Sequence, residues 1–213
     1  MIVIASRDDY PSSHNIFKAL FVLYPHIVFV GNPIELEKML PKVLPEQIFF
    51  VFWSWKVPTD ILEYFKCVSF HASDLPKFMG GSPIQNQIVR GMKETKITAF
   101  KTSQEMDKGD IYLKRDLSLE GDLSDIFKRM EDIIPSMIME IITDKPKPIK
   151  QEGKATYYPR RHIIDCEIKP GMTAEEAYDI VRSVNMEPYP PAYIKFNDGS
   201  ILNIYKAKKG GRP

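Results

Sequence analysis

The chain has 213 residues, a formal net charge of +1 and a hydrophobic content of 44%. This length suits one good-sized domain, or a large one with a small appendage. The small net charge gives no broad basic field, so nucleic acid is disfavoured as the main partner. The two cysteines, Cys67 and Cys166, lack metal-ligand spacing and predict two buried, reduced thiols.

The apolar segments of the chain are short. No stretch approaches the roughly 18 residues that a bilayer span requires, and the N-terminus lacks the layout of a signal peptide. We therefore expect a cytoplasmic protein with no membrane partner.

Strand and helix patterns alternate through the first third of the sequence. Four apolar runs predict strands at residues 2–5, 26–30, 47–53 and 67–70. The stretches between them predict helices at residues 16–23, 34–44 and 58–64, the first capped by Ser12 or Ser13. The alternation predicts an α/β fold with a Rossmann-like doubly wound sheet.

The rest of the sequence continues this pattern and then changes. It predicts helices at residues 84–90 and 121–142, strands at 96–103 and 111–113, and an extended linker at 143–148. Beyond the linker, a helix at 174–184 and a hairpin at 193–205 predict a small α+β appendage, with a frayed end at 206–213. We therefore predict a catalytic domain at 1–150 and a C-terminal extension at 151–213.

His71 is the strongest candidate for proton transfer. It follows the fourth predicted strand, where α/β sheets bind their ligands, and a glycine-rich turn and Asp107 come after it. Acyl transfer to an amine needs a group for the amine proton, an oxyanion donor and a dry pocket. His71 can manage the proton, and Asp107 can orient the imidazole by accepting its other N–H. No G-x-G-x-x-G follows the first strand, so dinucleotide binding is only a weak hypothesis.

The same residues resemble the signature of the folate-dependent formyltransferases, which include methionyl-tRNA formyltransferase, glycinamide ribonucleotide transformylase and the sugar-nucleotide N-formyltransferases. The matching positions are His71, Ser73, Leu75 and Pro76, then Gly80 and Pro83-Ile84, then Met106 to Ile111. The resemblance implies a formyltransferase fold, a catalytic pair of His71 and Asp107, and 10-formyltetrahydrofolate as formyl donor, with no metal.

The resemblance also implies where the ligands bind. Family members hold the pterin against the segment upstream of the histidine, and the glycine turn completes the site; the candidates here are Trp53, Ser54, Trp55, Lys56, Val57, Gly80, Gly81, Ser82, Pro83 and Ile84. Substrate-binding candidates are Ser73, Asn86, Arg160 and Arg161, and the two arginines could engage a phosphorylated substrate. Each group has an alternative role. The two tryptophans could instead pack in the core, and the two arginines could instead be a solvated basic pair.

The second unit narrows the expected substrate. Residues 158–165 and 187–192 look like the segment that follows the catalytic domain in tRNA and sugar formyltransferases. We expect an N-formyltransferase acting on a nucleotide-linked amino sugar or a similar small amine. A methionyl-tRNA formyltransferase-like enzyme is the alternative, and the net charge and the small second unit count against it. The C-terminal hairpin could offer an edge for pairing with a second copy, so a homodimer stays an open alternative.

Ser69 departs from the family pattern. The family usually has Asn here, whose amide donates to the formyl oxygen, whereas Ser is shorter and has one donor. Ser69 could donate through a water, Asn86 could substitute, or the protein could be a weakened or inactive folate-binding relative. A formyltetrahydrofolate hydrolase, with water as nucleophile, is a further alternative. We expect retained activity, because His71, Asp107 and the glycine turn are intact.

Overall fold

A six-stranded sheet is the centre of residues 1–210, the part of the chain that the computed structural model describes. The strands are β1 (Ile2–Ser6), β2 (Ile27–Val30), β3 (Gln47–Val51), β4 (Lys66–His71), β5 (Met79–Gly80), β6 (Glu94–Lys101), β7 (Ile111–Ser118), β8 (Tyr157–Tyr158), β9 (Ala192–Lys195) and β10 (Ile201–Ile204). The sheet has the order β2-β1-β3-β4-β6-β7. The other four strands form two small pairs, β5 with β8 and β9 with β10.

The predicted α/β class is confirmed, and the structure adds the strand directions. Strands β2, β1, β3 and β4 run parallel, whereas β6 and β7 join antiparallel. Strand β3 ends two residues earlier than predicted, because Phe52 has a φ of 51° and turns the chain out of the sheet. The residues after Val51 therefore form a loop at the carboxyl edge of the sheet.

In the described residues, six α-helices connect and cover the strands: α1 (Pro11–Leu23), α2 (Pro33–Val43), α3 (Thr59–Tyr64), α4 (Pro83–Ile88), α5 (Leu123–Asp144) and α6 (Ala174–Val184). The predicted serine cap of α1 is wrong, because the helix already begins at Pro11 with Tyr10 as its N-cap. Proline suits this first position, since its missing N–H would have no partner there. The predicted capping box of α6, Thr173 with Glu176, is present.

Apolar side chains cover both faces of the sheet. Successive residues of β1, such as Val3 and Ile4, point to opposite faces of the sheet and into two different buried clusters. Helices α1 and α5 close one cluster, and α2 and α3 close the other. Both cysteines are free and buried, as predicted, and burial raises the pKa of the Cys67 thiol to about 12.

A buried arginine, Arg182, joins α6 to the domain that contains the sheet. Arg182 is 2% exposed, and its Nε donates to Oδ1 of Asp179 at 2.6 Å. Its Nη1 donates to the carbonyls of Leu119 and Gly121, just before α5. These contacts fix the C-terminal extension, although its boundary at residue 150 stays a prediction.

Residues 206–210 have no regular secondary structure. Residues 211–213 of the predicted frayed end lie outside the described residues. Within residues 1–210, no helix has the length and apolar character that a membrane crossing demands.

Candidate functional site

A cavity of about 620 Å³ lies at the carboxyl ends of β3 and β4. The loop after β3, the end of β4, the turn before α4 and the loop between β6 and β7 form its walls. Aromatic and aliphatic side chains dominate the lining, and a few polar groups converge in it. A largely apolar cleft at this edge of an α/β sheet is a typical ligand site.

His71, the last residue of β4, lies in this cavity and is 8% exposed. Its Nδ1 is 3.6 Å from Oδ1 of Asp107, and its Nε2 is 2.7 Å from the carbonyl oxygen of Phe78. The other carboxylate oxygen of Asp107 accepts a hydrogen bond from the N–H of Gly80 at 2.8 Å. Asp107 thus connects the imidazole to the glycine turn, so the predicted pair lies together.

Both ring nitrogens of His71 face an acceptor. Nε2 is within hydrogen-bond distance of the carbonyl oxygen of Phe78, whereas the 3.6 Å from Nδ1 to Oδ1 of Asp107 is longer than a hydrogen bond. A neutral imidazole carries one N–H and one acceptor nitrogen, and it is the acceptor nitrogen that takes a proton from a substrate.

Backbone contacts hold the Asp107 loop in place. Gln151 donates from Nε2 to the carbonyls of Asp107 at 2.7 Å and Gly109 at 2.8 Å. A Cβ on Gly109 would lie 1.6 Å from the carbonyl oxygen of Lys101, so only glycine fits where this loop meets the end of β6. Gln151 lies outside the sequence signature, and sequence reasoning missed it.

Strained backbone surrounds the histidine. Phe52, Phe78, Ser82 and Asp107 all have φ between 48° and 58°, a left-handed conformation that non-glycine residues seldom adopt. Phe52, Ser82 and Asp107 line the cavity, and Phe78 contacts His71. Holding a residue in this conformation costs conformational energy in the folded state, and residues of this kind cluster at functional sites. The strain therefore marks this cavity independently of the sequence signature.

The glycine turn packs closely against the C-terminal extension. A Cβ on Gly80 would lie 2.3 Å from the carbonyl oxygen of Tyr158, and one on Gly81 would lie 2.5 Å from the Cα of Arg160. The glycines therefore admit the backbone of the C-terminal extension, which pairs with the turn through β5 and β8. This packing brings Tyr157 and Arg160 to the cavity wall.

All ten candidates for folate binding line the main cavity: Trp53, Ser54, Trp55, Lys56, Val57, Gly80, Gly81, Ser82, Pro83 and Ile84. The two indole rings meet edge to face, with centroids 4.8 Å apart. The Nε1 of Trp53 is buried and has no hydrogen-bond partner within residues 1–210. A buried N–H without a partner beside a cavity can donate to a ligand.

Ser69 also lies in the cavity wall. Its hydroxyl is 2.8 Å from Oγ1 of Thr102 on the adjoining segment after β6, and Thr102 lines the same cavity. One hydrogen joins the two hydroxyls, so the second hydroxyl hydrogen is free to donate into the cavity.

The four substrate-binding candidates do not lie together. Arg160 lines the main cavity, and both arginines line an adjoining cavity of about 180 Å³. Ser73 is fully buried, lines neither cavity and donates to the carbonyl of Lys77 at 2.6 Å. Asn86 likewise lines neither, because its amide donates to two backbone carbonyls. These placements do not fit substrate contact by Ser73, or the use of Asn86 in place of the family asparagine.

Two tyrosines from distant parts of the chain complete the wall. The hydroxyl of Tyr10, after β1, donates to that of Tyr189, after α6, at 3.1 Å. Both residues line both cavities, and burial raises the pKa of Tyr189 well above its usual range. Sequence reasoning missed them, because they are far apart in the chain.

Comparisons with known proteins agree with the geometry. The family described as formyl transferase matches residues 32–142. Methionyl-tRNA formyltransferase from Lactobacillus gasseri is 33% identical over 186 residues, covering 82% of this chain and 57% of that protein. The chain therefore spans little more than half the length of this curated relative.

Solved structures resemble the whole of the described fold. A structure named methionyl-tRNA formyltransferase from Clostridium thermocellum has a TM-score of 0.87 and 37% identity, covering 99% of this chain and 100% of that one. A sugar N-formyltransferase from a Shewanella species has a TM-score of 0.72 and 15% identity, covering 100% and 99%. At that identity, the second likeness concerns the fold alone.

Proposed function

The chain belongs to the formyltransferase family, and from that premise we propose that it transfers a formyl group from 10-formyltetrahydrofolate to a primary amine. One observation carries the proposal: His71, Asp107 and Gly80 form a connected group inside a largely apolar cavity. A titratable side chain oriented by a carboxylate in such a cavity is suited to moving the amine proton.

The proposed reaction begins with a neutral amine attacking the formyl carbon. A C–N bond forms, and the formyl oxygen becomes an oxyanion that the free hydroxyl hydrogen of Ser69 or Thr102 can meet. His71 accepts the proton of the amine. The bond from the formyl carbon to N10 of the folate then breaks, and N10 receives the proton that His71 took from the amine, so tetrahydrofolate leaves and His71 returns to its initial state.

For the folate, we propose the part of the cavity between the tryptophan loop (residues 53–57) and the glycine turn (residues 80–84). The aromatic walls favour a flat heterocycle, and the unpartnered Nε1 of Trp53 offers it a donor. Among residues 1–210, no group of three or more His, Cys, Asp or Glu side chains is arranged to hold a metal.

For the acceptor, we propose a nucleotide-linked amino sugar or a similar small amine. The balanced charge of the 213 residues supports this choice, because tRNA binding relies on basic surface. Methionyl-tRNA is the second candidate, favoured by the names of the relatives with 33% and 37% identity.

Isotope-labelled formyl transfer tests the proposal. Labelled 10-formyltetrahydrofolate is incubated with a panel of nucleotide-linked amino sugars and, separately, with methionyl-tRNA. We expect label on an amino sugar with wild type and a loss of at least about a hundredfold with His71→Ala. Label only on methionyl-tRNA would replace the proposed acceptor. Formate release without an acceptor would indicate the hydrolase, and tight folate binding without any turnover an inactive relative.

A further inference from the structure

One short segment of the extension contacts both loops that face the ring of His71. We call this segment, residues 149–158, the strap. A β-bridge joins its first residue, Ile149, to Ile111 at the start of β7, with N–O distances of 2.7 and 2.9 Å. Its last two residues form β8 and pair with β5. Residues 152–155, between these attachments, are exposed. The strap is therefore held at both ends, each end beside one of the two loops.

Gln151 holds the Asp107 side. Its Nε2 donates to the carbonyl oxygens of Asp107 at 2.7 Å and Gly109 at 2.8 Å, so one amide group fixes the backbone on both sides of Lys108. The amide cannot be turned over, because its oxygen would then face two carbonyl oxygens. Asp107 has a φ of 58°, and a non-glycine residue keeps such a conformation only where its surroundings hold it. The two hydrogen bonds of Gln151 provide that hold.

Thr156 holds the Phe78 side. Its Oγ1 accepts from the N–H of Phe78 at 2.9 Å. Its carbonyl accepts from the N–H of Met79 at 2.9 Å, and its own N–H donates to the carbonyl of Pro76 at 3.1 Å. Phe78 has a φ of 55°, and its carbonyl oxygen is 2.7 Å from Nε2 of His71. Thr156 thus binds the strained residue that faces the second ring nitrogen.

The separation between His71 and Asp107 is sensitive to the position of the loop. At 3.6 Å, Oδ1 of Asp107 is a few tenths of an ångström too far from Nδ1 for a hydrogen bond. We propose that the strap positions both acceptors of the ring, with Gln151 acting through Asp107 and Thr156 through the carbonyl of Phe78. Neither residue of the strap lines the main cavity, so both are positioning residues. The inference rests on the proposed formyl transfer and deepens it, since it explains how the proton-transferring group is held.

Nitrogen NMR of the His71 ring tests the proposal without ligand or turnover. The four histidines carry an NMR-active nitrogen isotope, and His71→Ala identifies the signals of His71. We expect Gln151→Met to shift mainly the Nδ1 signal and Thr156→Val to shift mainly the Nε2 signal. Two controls should leave both signals in place: Thr156→Ser, which keeps the hydroxyl, and Glu152→Gln, which changes an exposed residue of the strap.

A second variant covers the case in which Gln151→Met does not fold, as judged by circular dichroism. Gln151→Asn keeps a polar amide that is one methylene shorter, and it should shift the same Nδ1 signal. Unchanged signals in both Gln151→Asn and Thr156→Val would overturn the proposal. The same shift of both nitrogens in each variant would also overturn it, because that result indicates a general loosening of the extension.

Formyl-transfer kinetics separate this inference from the proposed function. Gln151→Met should lower kcat roughly tenfold to a hundredfold, with little change in KM for 10-formyltetrahydrofolate, because misplacing a catalytic group by about 1 Å costs about that much. In an Asp107→Asn background the same substitution should cost little more, since Gln151 acts through Asp107. Losses that multiply would contradict this role and leave formyl transfer intact. The expected ring shifts without transfer to any amine would contradict the proposed function alone.

Discussion

Asp107 uses both carboxylate oxygens, one toward His71 and one toward Gly80. An asparagine has one acceptor and one NH₂ group, so it cannot serve both neighbours in the same way. If its oxygen keeps the N–H of Gly80, its NH₂ faces Nδ1 of His71 and places the ring proton on Nε2. The imidazole then has no free nitrogen for the amine proton.

We therefore predict that Asp107→Asn lowers kcat by roughly a hundredfold to ten-thousandfold, with little change in tetrahydrofolate affinity. Single-turnover formyl transfer measures the first quantity, and calorimetry the second. Asp110→Asn, in the same loop, is the matched control and should behave as wild type. A variant Asp107→Asn that kept most of its rate would remove Asp107 from the proposed mechanism.

Ser69 and Thr102 share one hydrogen bond, and the serine hydroxyl lies on the strand that ends at His71. We predict that Ser69→Ala lowers kcat roughly a hundredfold to a thousandfold, as loss of an oxyanion donor does. Thr102→Val should cost less, because Ser69 keeps its hydroxyl. Ser69→Asn should remain active, since an amide also donates. Steady-state kinetics are the measurement, with Ser103→Ala as control; an unaffected Ser69→Ala would exclude the serine as donor.

At the scale of elements, apolar runs and helical periodicity were enough to predict the class of fold. The runs at residues 47–51 and 67–70 are apolar on both faces, as strands covered by helices must be. Strand direction was not visible, because β6 and β7 carry no local mark that distinguishes antiparallel pairing. The early end of β3 depends on the strained φ of Phe52, which its sequence gives no reason to expect.

The hydrogen bonds of Arg182, which connect α6 to the segment before α5, give a prediction about stability. Removing Arg182 leaves Asp179 buried and unpaired, at 4% side-chain exposure. We predict that Arg182→Met lowers the free energy of unfolding by about 3 to 5 kcal/mol, measured by urea denaturation. The double variant Asp179→Leu/Arg182→Met should recover part of the loss. Lys96→Ala, which breaks an exposed pair with Asp116, should cost no more than about 1 kcal/mol. Equal losses in both single variants would contradict the role of the buried pair.

At the scale of the whole molecule, the site is assembled from segments that are remote in sequence. The signature identified His71 and Asp107 because both lie in short motifs around one strand and one turn. Tyr10, Gln151 and Tyr189 reach the site only through tertiary packing, so no local pattern could identify them. Conversely, Ser73 belongs to the signature but stabilises a turn, and the candidate Asn86 donates to the carbonyls of Gly81 and Pro159.

Both tryptophans of the chain, Trp53 and Trp55, lie in the main cavity. Intrinsic tryptophan emission therefore reports on this cavity alone. We predict a saturable change in emission when tetrahydrofolate is added, because a ligand against the tryptophan loop alters the surroundings of both rings. Trp55→Phe should reduce the amplitude and keep the midpoint close to that of wild type, since Trp53 remains.

The double variant Trp53→Phe/Trp55→Phe has no tryptophan and measures the optical effect of the ligand itself. Calorimetric binding of tetrahydrofolate without a change in tryptophan emission would put the folate elsewhere in the molecule.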